Sequence, residues 1–168
     1  MNNLTQVSCL KVLGVTLQSN HRFNEHIKVK LREANKCLYV ITRARLRIEG
    51  YKQPDVDYVF RSIVLPKLTY GLPVYASSIL ELTAVQKLLQ RCFKCKYSSY
   101  QIDIYSVLEQ VNRSLFKKIS SLPDHPLYPY VPKTKESSAR LRVPKVNTLR
   151  FKNSFFNRLF FFKYGVAI

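Results

Sequence analysis

Acidic residues are scarce in this chain: ten Asp and Glu stand against 28 Lys and Arg, for a formal charge of +18. A field of that sign repels itself and draws polyanions. The candidate partners are therefore nucleic acid, an anionic membrane surface or an acidic protein. Glycine is also scarce, at four residues, which argues against a loop-rich β-sandwich and against Gly-rich phosphate cradles. Tryptophan is absent. No run approaches the ~18 consecutive apolar residues of a membrane-spanning helix. Met1 is followed by Asn2, Asn3 and Leu4, with neither the basic segment nor the apolar stretch of a secretory leader. We expect an intracellular protein, nuclear or cytoplasmic and not secreted. Its cysteines, Cys9, Cys37, Cys92 and Cys95, should then be free thiols.

What is present suffices for a core. The 168 residues are 46% hydrophobic and 12% aromatic, enough for one ordinary domain or a small domain with an extended tail. Val7, Leu10, Val12, Leu13, Val15 and Leu17 alternate in part around Gly14, which predicts a strand or a tight pair of strands. A sheet that small is marginal in water, so we read it as the continuation of a sheet formed elsewhere.

Residues 24–47 carry the clearest helical pattern. Ile27, Leu31, Ala34, Leu38 and Ile41 recur at steps of four and three and share one face. Lys28, Arg32, Lys36, Arg43 and Arg47 fall on another arc, about 100° wide at about 100° per residue. Surface lysines usually alternate with glutamates for i,i+4 pairing. Here only Glu25, Glu33 and Glu49 lie nearby and the row itself is acid-free, so we read it as an anion-binding face rather than a merely solvated one.

A second helix should begin near Pro54, with Asp55 and Asp57 at its positive end and Val56, Val59, Phe60 and Ile63 on its apolar face. Pro66 should interrupt it, giving an offset helix over 65–75 that Pro73 kinks or ends. A third helix is predicted over 83–97 with Thr83 as N-cap. It has Leu82, Val85, Leu88, Leu89, Cys92 and Phe93 on one side, and Lys87, Arg91 and Lys94 on the other. Two short amphipathic pieces follow, at 104–111 and 115–122. Five prolines between 123 and 150 then mark an extended linker, and 150–168 mixes phenylalanines with Lys and Arg. That end suits either a membrane-surface helix or a face that once packed on a lost partner, and we favour the latter.

K-V-L-G-V-T-L (11–17), L-P-K-L-T-Y-G-L-P-V-Y (65–75), L-T-A-V-Q-K-L-L-Q-R (82–91) and R-F-K-N-S-F (150–155) follow in an order that resembles the carboxyl-terminal part of non-LTR (LINE-type) retrotransposon reverse transcriptases, the jockey-like group in particular. K-V-L-G-V-T-L (11–17) is similar to the strand that leaves the palm, and Phe23, His26 and Ile27 onward to the aromatic, histidine and long helix that follow. L-P-K-L-T-Y-G-L-P-V-Y (65–75) and L-T-A-V-Q-K-L-L-Q-R (82–91) resemble the next two family elements. His125-Pro126-Leu127, Arg142-Val143-Pro144 and R-F-K-N-S-F (150–155) resemble later ones. The similarity covers roughly 8–156 and departs from the family after Phe156, where an apolar stretch with a tryptophan is usual.

The resemblance implies the thumb and post-thumb region, which lies beside the template–primer duplex, kept without the catalytic palm. Nucleotidyl transfer in this family needs a carboxylate trio, two of them in an aromatic-x-Asp-Asp turn, to hold two metal ions. None of the ten acids forms an Asp-Asp pair. The nearest approach, Asp55-Val56-Asp57, is sufficiently explained by helix capping. Cys92-Phe93-Lys94-Cys95 lacks the second ligand pair that a structural zinc requires.

The resulting expectation is a mainly α fold. It comprises a β element over 1–20, a helical thumb-like domain over 21–122, and a proline-rich linker with a basic aromatic tail over 123–168. The expected function is sequence-independent binding of a nucleic-acid duplex by Lys28, Arg32, Lys36, Arg43, Arg47, Lys87, Arg91 and Lys94, without catalysis, metal or cofactor. The alternatives are a stand-alone basic helical module that binds an acidic protein, and a relic reading frame with no stable product.

Overall fold

A computed structural model describes residues 7–20, 22–44, 52–76 and 79–131, together with 134–135, 138–141, 145, 147–152, 154 and 157–159. The fold is mainly α, with an antiparallel hairpin at the start, as the sequence predicts. The chain groups into two compact units, 1–104 and 105–168.

The first unit opens with strands β1 (Cys9–Val12) and β2 (Val15–Gln18), paired so that Leu10 faces Leu17 and Val12 faces Val15. Leu13 and Gly14 form the two-residue turn, both with positive φ (46° and 80°), the combination that matches the twist of a hairpin. Helix α1 (Asn24–Arg43) follows and buries Ile27, Ala34, Leu38 and Ile41, while Leu31 is half-buried. Arg47 lies outside the described residues.

Helix α2 (Gln53–Val59) starts where Pro54 predicts, and the backbone N–H of Lys52 donates to the Asp55 carboxylate at 3.1 Å. Pro66 does not break the helix as expected. Having no N–H, it cannot bond the fourth residue back. The chain widens ahead of it into a π turn, Phe60–Val64, in which the Leu65 N–H reaches the Phe60 carbonyl. The axis then continues into α3 (Leu65–Thr69).

The widening also selects the buried face. Val56, Phe60, Val64 and Leu68 are all buried at steps of four. Such a step drifts by about 40° on a regular helix, and the wider turn takes up that drift. Val64 is thus inside, and Ile63, expected on the apolar face, is 46% exposed.

The real break falls at Tyr70–Gly71, where Gly71 adopts φ +71°. Pro73 does not end a helix but sits in the first turn of α4 (Leu72–Tyr75), where its missing N–H costs nothing. Helix α5 (Ile79–Lys94) begins earlier than expected, so Thr83 lies inside it and is not its N-cap. Leu82, Val85, Leu88, Leu89 and Cys92 are buried, whereas Phe93, expected among them, is 40% exposed. Lys96 (φ 56°) closes the helix, its N–H bonded to the Phe93 carbonyl and that of Tyr97 to Cys92. This is a Schellman cap with lysine where glycine is usual.

Helix α1 packs against β2, the π turn, α3 and α5, and so lies at the centre of this unit. The two strings of the family resemblance meet here. The Tyr70 hydroxyl donates to the Leu13 carbonyl at 2.8 Å. A Cβ on Gly14 would stand 3.1 Å from the Tyr70 ring, and one on Gly71 would stand 3.2 Å from Val15 Cγ2. Imidazole Nδ1 of buried His26 accepts from the Thr16 N–H at 3.2 Å, and its ring packs on Tyr75 at 4.9 Å. Hairpin, α1 and α4 are thereby locked together.

In the second unit the expected pair of short helices is one helix, α6 (Ile104–Ser121). Asn112 and Ser114 favour helix weakly but do not break it, and Arg113, a good helix former, bonds Glu109 one turn back at 2.5 Å. Phe116, Ile119 and Leu159 form a small core with Leu115, Leu127 and Val131 against it. The described part of the proline-rich stretch carries only short elements. These are a 3₁₀ turn (Tyr128–Tyr130), a hairpin of β3 (Thr134–Lys135) and β4 (Ser138–Leu141), and α7 (Leu149–Lys152). Arg142-Val143-Pro144, Phe155, Phe156 and the Phe-rich end 160–168 lie outside the described residues. No helix of the described residues is long and apolar enough to cross a membrane.

Candidate nucleic-acid interface

Each basic row follows from helix geometry. On α1, Lys28, Arg32, Lys36 and Arg43 are all exposed, opposite the buried Ile27, Ala34, Leu38 and Ile41. On α5, Lys87, Arg91 and Lys94 are exposed, opposite Val85, Leu89 and Cys92. What the rows do together depends on how the helices dock.

The docking sets two cations of the α5 row beside α1. An open groove of about 320 Å³ runs between α1 and α5, lined by Leu31 and Asn35 on one side and by Ala84, Lys87, Leu88 and Arg91 on the other. Asn35 lies on α1 between the buried face and the basic row, and its side-chain oxygen accepts a hydrogen bond from the Arg91 guanidinium. Arg91 and Lys87 therefore line the groove from α5, while its α1 wall is Leu31 and Asn35, the sequence neighbours of Arg32 and Lys36. Lys94 stands on the outer side of α5, exposed.

The cations are not equivalent. Lys28 is paired with Glu25 at 2.8 Å, so one charge of the row is locally cancelled, contrary to its reading as acid-free. Arg43 donates to the Tyr39 hydroxyl at 3.1 Å and keeps its charge. Among the described residues the side chains of Arg32, Lys36, Lys87 and Lys94 make no hydrogen bond or ion pair. These four present undivided positive charge to solvent.

Sequence reasoning missed Tyr39 and Asn35. Tyr39 is 62% exposed on the basic face of α1, three residues after Lys36 and four before Arg43. That i,i+3 and i,i+4 spacing is a signal the sequence already held. Asn35 carried no such signal, because its role depends on a helix distant in sequence.

Two other groups have structural roles. Burial pushes the Cys92 thiol up to about 11, with Arg91 working weakly the other way. It is a protonated core residue, while Cys95 is exposed. Helix capping, expected to be sufficient for Asp57, does not account for it alone. It accepts from the Ser99 hydroxyl, from the Ser99 N–H at 2.7 Å and from Gln53 at 3.2 Å, which ties α2 to the loop after α5. Burial disfavours its charge, but those hydrogen bonds, helped by Arg61, outweigh it and hold the carboxyl below its ordinary value. Among the described residues no group of three or more His, Cys, Asp or Glu side chains gathers as a metal site would require.

No protein-family model, curated protein or solved structure matches this chain.

Proposed function

We propose that these residues are the thumb-like part of a non-LTR reverse transcriptase and that they hold a template–primer duplex by its phosphates, without themselves transferring nucleotides. The observation that carries this reading is that Lys87 and Arg91 line a groove whose other wall belongs to α1, the helix of the second basic row, with Arg91 bonded to Asn35 across it. A surface built only for solubility needs no such alignment. The Leu13–Tyr70 and Val15–Gly71 contacts add support, since the two strings of the resemblance pack as one piece.

Phosphate contacts neutralise charge and release counterions, so binding should depend steeply on salt and little on sequence. With about five phosphates engaged, log K should fall against log[salt] with a slope of about −4.5 for duplex DNA. A filter-binding titration checks this, and a flat salt response sinks the proposal. Equal affinity for the duplex and an unrelated polyanion would favour the acidic-protein reading instead.

A further inference from the structure

Phosphate contacts alone leave Tyr39 unexplained. Among the described residues of the first unit, three large aromatics are more than half exposed: Tyr39 (62%), Tyr58 (73%) and Tyr70 (53%). Tyr70 is accounted for by its bond to Leu13, its cover over Gly14 and the Lys30 ammonium 5.5 Å from its ring. Tyr58 directly follows Asp57 and comes three residues after Asp55, no place for a polyanion. Tyr39 alone stands in a basic row, with Lys36 one turn before it and Arg43 one turn after.

The Arg43 guanidinium bonds the Tyr39 hydroxyl at the tip of the ring, which fixes the side chain and leaves a ring face to solvent. Asn35, one turn back on α1, holds Arg91 of α5 at the groove. A flat π-face framed by cations is the arrangement that binds unpaired nucleotides. The base stacks on the ring while cations track the backbone, and any base serves. A duplex gains nothing from the ring, because its bases already stack on one another.

We infer that the α1–α5 surface takes an unpaired segment of nucleic acid, with one base stacked on Tyr39 and flanking phosphates held by Arg32, Lys36 and Arg43. This rests on the nucleic-acid reading above and sharpens it: the preferred ligand is a single strand, or the single-stranded end of a duplex.

The test compares three labelled ligands of equal length by fluorescence anisotropy at fixed salt: an oligothymidylate, the same strand with abasic residues in place of bases, and a blunt duplex. The full chain should bind the oligothymidylate at least about 5-fold more tightly than the abasic strand, the low end of what one stacked base contributes. Tyr39→Leu should abolish that difference and leave abasic and duplex binding unchanged, whereas Tyr39→Phe should preserve it. DNA and RNA strands should behave alike in this respect. Equal affinity of the unaltered chain for the base-bearing and abasic strands overturns the inference but not the phosphate-binding proposal. So does an equal loss by Tyr39→Leu on all three ligands. Failure to bind any of them overturns both.

Discussion

The Arg91 guanidinium on α5 donates to the Asn35 side-chain oxygen on α1, fifty-six residues away, across a groove that Lys87 and Arg91 line on one side and Leu31 and Asn35 on the other. Neither row alone is unusual for a surface helix.

The cations of this surface should contribute unequally. Each phosphate contact removed lowers the salt slope by about 0.9 on duplex and about 0.7 on a single strand. Arg32→Gln or Lys87→Gln should each lower it by about that amount. Lys28→Gln should change it less, because Lys28 already pairs with Glu25 at 2.8 Å. Filter binding across a salt series checks the order.

Gly71→Ala should destabilise the first unit by about 1–3 kcal/mol. The position needs φ +71°, and a Cβ would stand 3.2 Å from Val15 Cγ2, on the strand that α1 also packs against. The urea midpoint should fall without loss of the helical circular-dichroism signal at low urea.

Lys96→Gly should act in the opposite direction. Lys96 holds φ 56° in the Schellman cap of α5, which costs a residue with a Cβ about 1–2 kcal/mol relative to glycine. The gain is reduced by the greater freedom of glycine in the unfolded chain. A net stabilisation of about 0.5–1 kcal/mol by urea denaturation is the expected outcome.

Stability should also depend on pH through His26. Burial holds its pKa below the ordinary 6.5, with Lys30 and Lys11 working the same way and Glu33 against them. The unfolded chain therefore takes up the proton more readily than the folded one. Stability is fully present above pH 6.5 and declines as pH falls from there towards the lowered folded value. Comparing urea midpoints at pH 7.5 and pH 5.5 should show the loss. His26→Asn, which offers an acceptor near the Nδ1 position, should shrink the difference between the two midpoints. An unchanged difference in that variant would assign the effect elsewhere.

Much of this was legible in the sequence for a physical reason: helix faces are local. A period of about 3.6 residues sorts Ile27, Ala34, Leu38 and Ile41 from Lys28, Arg32, Lys36 and Arg43 before any tertiary contact forms. The Gly14 turn and the Pro54 helix start are likewise consequences of backbone preference. Charge and face patterning are also enough to nominate an anion-binding surface.

Tertiary packing decided the rest. Pro66 is accommodated because a π turn keeps Val64 and Leu68 in the core, while Ile63 is left outside. The chain breaks at Gly71 rather than Pro73, where φ is +71° and a Cβ would press on Val15 of the hairpin at 3.2 Å. Asp57 serves a loop forty-two residues away, and Asn35 a helix fifty-six residues away. The sequence by itself determined which residues face inward and that a large positive charge faces out. Only the docking of α5 on α1 decided which of those charges meet Asn35 and Leu31 at a groove, because such contacts depend on long-range packing that no local period encodes.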